Sequence, residues 1–120
     1  MSEAPFPCYL VEKDSSGKIR CSIREARIEQ LPPGEVLIRG AYSSLNYKDA
    51  LAASGHPGVA RKLPLVPGID LAGVVEASDS ADVRMGQEVL VTGFDQGTDR
   101  WGGYSRYARV PAEWVVPLPT

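Results

Sequence analysis

Two cysteines and a single histidine are all that these 120 residues offer to soft-metal or thiol chemistry. Cys8 and Cys21 flank a predicted turn and have no second pair to join, so neither a zinc ribbon nor a redox CxxC can be written. Two adjacent strands can bring them within bridging reach. A reducing compartment favours free thiols instead, acting as small buried hydrophobes. No apolar run approaches the ~20 residues of a membrane span. The first residues, Met1-Ser2-Glu3-Ala4-Pro5, lack the basic and apolar regions of a secretory signal. Basic residues never cluster beyond Arg61-Lys62, and the formal charge is −2. These absences argue against nucleic acid and anionic membranes as partners, because both reward a strong basic patch. The expectation is a cytoplasmic protein acting on a small-molecule substrate.

What is present is ordinary globular material. Hydrophobic residues make up 43% and charged residues 23%, so disorder is not expected. A chain of this length buries roughly two-thirds of its unfolded surface, enough for one core without staples. Twelve glycines and ten prolines cut it into short segments rich in Val, Ile and Tyr. Cys8 to Glu12 and Lys18 to Ile28 read as the arms of a hairpin around Asp14-Ser15-Ser16-Gly17. After the turn at Pro32-Pro33-Gly34, Glu35 to Tyr42 reads as a core strand. Ile69 to Ala77, Glu88 to Thr92, Tyr104 to Val110 and Trp114 to Leu118 supply four more strands. A loop rich in Gly and Asp runs from Gly93 to Gly103.

One helix is expected, over Tyr47 to Ser54. Asn46 suits its N-cap, Asp49 the acid of a capping box, and Gly55 a left-handed stop. The pattern is mainly β, a small barrel or sandwich.

Four stretches, taken together, carry a resemblance. They are Ser43-Ser44-Leu45-Asn46-Tyr47-Lys48-Asp49-Ala50-Leu51, Pro67-Gly68-Ile69-Asp70-Leu71-Ala72-Gly73, Gly86-Gln87-Glu88-Val89-Leu90-Val91-Thr92-Gly93 and Trp101-Gly102-Gly103-Tyr104. Their order and spacing resemble the zinc-free, quinone oxidoreductase-like branch of the medium-chain dehydrogenases/reductases, including its acrylyl-CoA reductase type. The resemblance implies a GroES-like β-barrel with one or two short helices, forming the substrate-side catalytic domain over residues 1–120. It also implies NADPH as cofactor and a Rossmann domain elsewhere. The chain has no G-x-G-x-x-G between a strand and a helix, so the pyrophosphate-cradling motif is absent here. The expectation is a chain truncated before its nucleotide-binding domain and inactive alone. With its partner surface uncovered, it should dimerise or otherwise self-associate.

The zinc ligand positions of the zinc-containing branch fall on Asn46 and Ile69. Neither supplies a thiolate or an imidazole, so no metal is expected. Without that Lewis acid, reduction of a C=C conjugated to a carbonyl is the chemistry implied. For the site, Asn46, Asp49 and Asp70 are the catalytic candidates, and Tyr47 with Asn46 the cofactor contacts. Each has a plainer reading. Asn46 and Asp49 can simply cap the helix. Tyr47 can be a core aromatic. Asp70, inside an apolar strand, needs a partner such as Lys48 or a role in shaping the loop. Lys48 and the lone His56 suit solvent. Arg61 and Lys62 can steer an acidic substrate or merely cover surface. Trp101 can line the cleft or plug the barrel. A stand-alone binding or assembly module is the alternative, since fold alone does not fix function.

Overall fold

The computed structural model describes residues 4–119. Its first unit is the hairpin of β1 (Phe6–Lys13) and β2 (Ile19–Ala26), paired from Phe6↔Ala26 to Lys13↔Ile19. The turn forms because Asp14 acts as a polar hub. Its Oδ1 accepts from the Ser16 and Lys18 amides and the Ser16 hydroxyl, while Oδ2 takes the Arg20 guanidinium. Gly17 supplies the positive φ of 84° that the turn requires.

The second unit is a five-stranded antiparallel sheet in the order β6-β3-β4-β5-β7. Its strands are β3 (Val36–Ser43), β4 (Asp70–Ser78), β5 (Glu88–Thr92), β6 (Tyr107–Val110) and β7 (Val116–Pro117). The expected strand over Trp114 to Leu118 is corrected to a single 3-10 turn, Ala112–Trp114, followed by the two-residue β7. Trp114 leaves the strand path because it is buried in the core, stacked on Phe94 with ring centroids 4.9 Å apart.

Alternation decides the core. Val36 and Ile38 point to one side of β3 and join Leu71, Val75, Val89, Val91, Ala108 and Val110. Leu37 points to the other side and meets Phe6, Cys8, Ala26, Ile28, Leu31 and Val66. Both faces of the first half of β3 are therefore covered, which explains its apolar run Val36-Leu37-Ile38. In β4 the buried positions are Leu71, Gly73 and Val75, a two-residue period that the sequence obscures because Gly73 carries no side chain. That glycine is required, since a Cβ there would run into the Arg39 carbonyl of β3. Bulges between Leu37 and Ile38 and between Gly40 and Tyr42 bend the β3–β4 ladder.

Between β3 and β4 in the chain lies α1 (Tyr47–Ala53), the one α-helix among the described residues. The cysteines do not share one environment. Cys8 is buried and Cys21 is exposed, both free, so the reading of two buried thiols is corrected for Cys21. The reason is register. Cys8 sits on the inward face of β1, whereas Cys21, opposite Val11, lies on the strand that nothing else pairs, with its thiol directed to the Ala53 carbonyl.

Candidate active site

Ladder register assembles the site. Ser43 pairs with Leu71 at the end of β3, and Asp70 pairs with Thr92 across β4 and β5. The link from β3 into α1, residues 44–46, therefore passes over the first residue of β4. Ser43 fixes this crossing by donating its hydroxyl to the Asp70 carbonyl at 2.6 Å.

At the crossing, Asn46 joins two carboxylates. Its Nδ2 lies 2.9 Å from Asp70 Oδ2, 3.1 Å from Asp49 Oδ2 and 3.0 Å from Ser44 Oγ. Ser44 in turn donates to Asp70 Oδ2 at 2.5 Å. Reversing the carboxamide would set its oxygen against both acids, so the network fixes its orientation. The helix start is held at the same point. Asp49 Oδ2 accepts from the Asn46 amide, as a capping box requires, and Asp49 Oδ1 accepts from the Ile69 amide. Asp49 is only 1% exposed, and both oxygens are in use. It ties α1 to Ile69, the residue before β4.

Asp70 differs. One oxygen serves Ser44 and Asn46, and its side chain borders an open cleft of about 260 Å³ with Tyr42, Ser44, Leu71, Leu90 and Thr92. Lys48 is exposed and belongs to none of the ion pairs among the described residues, so Asp70 is satisfied by a serine and an amide. Tyr47 stands 81% exposed at the start of α1, next to Leu45 at 81%, which rules out a core aromatic.

Tyr104 completes the arrangement. Its hydroxyl donates to the Ser44 carbonyl at 2.8 Å. Burial, reinforced by the charges of Asp49 and Asp70, pushes its phenol above the ordinary tyrosine range. It is thus a neutral strut beside two acids. The glycines of the second and fourth motifs permit this packing. A Cβ on Gly68, already at φ 105°, would lie 2.8 Å from the Tyr104 ring and from the Gly103 amide.

The remaining candidates lie elsewhere. His56 is exposed, with Nδ1 accepting from the Gly58 amide. Arg61 pairs with Asp99 at 3.3 Å. Trp101 donates its indole N–H to the Pro64 carbonyl and packs against two apolar clusters, so it plugs rather than lines the Asp70 cleft. Ser44, Tyr42 and Tyr104 had not been expected at the site. Ser44 reaches Asp70 across 26 positions, and Tyr104 reaches Ser44 across 60. No local pattern announces such pairs.

As to metals, the donors at the crossing are two carboxylates, a hydroxyl and an amide. Among the described residues no group of three or more His, Cys, Asp or Glu is placed to hold an ion. The crossing offers two of the carboxylate, thiolate or imidazole donors from which a tetrahedral zinc set is built.

A family model described as the alcohol dehydrogenase GroES-like domain matches residues 32–120. The chain is 44% identical over 115 residues to an acrylyl-CoA reductase of Ruegeria pomeroyi, covering 95% of this chain and 35% of the relative. It is 40% identical over 114 residues to a Bacillus subtilis protein provisionally named a quinone oxidoreductase, covering 95% of this chain and 34% of the relative. Among solved structures, a Salmonella enterica oxidoreductase in complex with NADP superposes with a TM-score of 0.90 at 43% identity, covering 95% of this chain and 35% of that one. The chain thus spans about a third of the length of the relatives it matches.

Proposed function

The chain belongs to the alcohol dehydrogenase GroES-like domain family, and from that premise we propose that it is the substrate-side domain of an NADPH-dependent oxidoreductase that reduces an activated C=C without zinc. The names of the relatives support an acrylyl-CoA, enone or quinone acceptor, and the NADP complex of the Salmonella structure supports the cofactor. The observation that carries the reading is Asn46 bound to Asp49, Asp70 and Ser44, a closed organic network where a zinc enzyme needs soft ligands.

Bound NADPH would supply the hydride. This chain would provide one wall of its cleft, with Tyr47 and Tyr42 as exposed ring surfaces and Asp70 and Thr92 as polar contacts. Addition at the β-carbon moves the π electrons onto the carbonyl oxygen, and the α-carbon then takes a proton. Asp70, fixed by one oxygen, orients a bound hydroxyl or amide with the other. Thr92, its ladder partner, is a side-chain donor lining the same cleft and would stabilise the developing enolate. Asn46 cannot serve as that donor because its N–H groups are spent on the two acids.

The test is NADPH oxidation by the full-length protein, with acrylyl-CoA, a quinone and a saturated aldehyde, before and after dialysis against a zinc chelator. Reduction of the conjugated acceptors that survives chelation is expected. Activity lost on chelation and restored by zinc, or confined to the aldehyde, would overturn the proposal.

A further inference from the structure

An open pocket of about 410 Å³ lies beyond the C-terminal end of α1, lined by Lys13, Gly55, Pro57, Ala60, Arg61 and Leu63. It is larger than the Asp70 cleft, and the Ser44–Asp70 network does not reach it. Its two charged lining residues are both cations, and none is acidic. Lys13, at the end of β1, enters none of the ion pairs among the described residues. Neighbouring Lys62 is likewise outside them, while Arg61 is paired with Asp99. His56, at the rim, holds the loop: its carbonyl accepts from the Val59 and Ala60 amides.

We propose that the pocket between Lys13 and Arg61 binds the phosphate-bearing end of a coenzyme A thioester. This rests on the reductase reading above and chooses among its acceptors. A quinone or simple enone carries no anionic group and would leave Lys13 without a counter-charge. A thioester carried on a phosphorylated nucleotide places its reactive C=C and its phosphates at opposite ends of a long arm. α1 is seven residues long, so the pocket lies roughly 10 Å along its axis from Asn46, within the reach of such an arm. The volume lies within the range of small-molecule sites, and a phosphate beside one Lys and one Arg forms charge-assisted hydrogen bonds.

Phosphate could also come from NADPH, so the experiment separates the two sources. Wild-type full-length protein, Lys13→Glu, Arg61→Gln and the double variant are compared in three Michaelis constants. These are KM for acrylyl-CoA, for the acrylyl thioester of N-acetylcysteamine (the same alkene without phosphates) and for NADPH. The expected result is a KM for acrylyl-CoA raised about tenfold or more in the double variant, at least fivefold more than for the short thioester or for NADPH. Equal rises for both thioesters, or no rise, would refute the site. A rise confined to NADPH would transfer it to the cofactor and refute the thioester assignment.

Calorimetric titration with adenosine 3′,5′-bisphosphate makes the site testable even if acrylyl-CoA is not turned over. Binding by wild type that weakens in Lys13→Glu supports the pocket while the reductase reading fails. Binding unchanged by the substitution overturns the pocket alone. Lys13 is exposed and unpaired, so its substitution also answers the concern that Arg61→Gln loosens the loop by releasing Asp99.

Discussion

Individual side chains at this site matter mostly through what they hold. Asn46 satisfies two carboxylates at once, so removing its amide leaves a buried acid short of a donor. Asn46→Ala is expected to lower thermal stability by the equivalent of about 1–3 kcal/mol and to reduce kcat of the full-length enzyme. Asn46→Asp should be worse, because a third acid replaces the shared donor. Calorimetry and steady-state kinetics check both, and an Asp variant as stable as wild type would contradict the network. Tyr104 makes a subtler case. Its pKa is raised in the folded state, so the folded protein holds that proton after the unfolded chain has released it. The associated stability is present below pH 10 and is lost as pH rises through the folded-state value. Tyr104→Phe should remove one late-ionising phenol from the ultraviolet titration and flatten that alkaline loss. The thiols differ by burial. Cys8, whose pKa is raised by desolvation, should resist iodoacetamide, and Cys21 should be labelled first, as read by peptide mass.

At the scale of elements, the decisive features are close approaches and turns. Gly68 and Gly73 let strands and loops cross at distances that no Cβ allows. Gly73→Ala would press on the Arg39 carbonyl, and Gly68→Ala would add a strained backbone to a clash with Tyr104. Each should cost about 1–3 kcal/mol or more, a fall in Tm of several degrees for a domain of this size. An unchanged melting curve for either would show that the crossing is looser than described. The β1–β2 turn offers a pH test. Hydrogen bonds from Ser16 and Arg20 lower the Asp14 carboxyl to about 2. Its contribution should be intact above the ordinary aspartate range and fade as pH falls through about 2. Carboxyl NMR titration reads that midpoint directly.

Across the whole molecule, exposed apolar groups gather beside the site. Tyr42, Leu45 and Tyr47 are each more than three-quarters exposed, and Val116 and Leu118 add to the uncovered surface. We propose that the 120-residue chain by itself associates with a second copy through this face. Sedimentation over a hundredfold concentration range should show a rising mass, and a constant monomer would refute it. No helix among the described residues is long and apolar enough to cross a membrane.

The sequence by itself determined the order of elements, because turn chemistry at Asp14 to Gly17, the cap at Asn46 and β-branched runs act over a few residues. It also determined family membership, since four motifs in a fixed order carry it. It placed Asn46, Asp49 and Asp70 together as candidates, but not what each does. Tertiary structure alone decided that Asp49 is a buried tie, that Asp70 rather than Asp49 opens on the cleft, and that Ser44 and Tyr104 belong to the network. It also turned Trp114 inward and Cys21 outward. The physical reason is the same throughout. Hydrogen bonds spanning 26 or 60 positions, and the choice of which strand face is covered, depend on ladder register and packing, and no local window of sequence contains either.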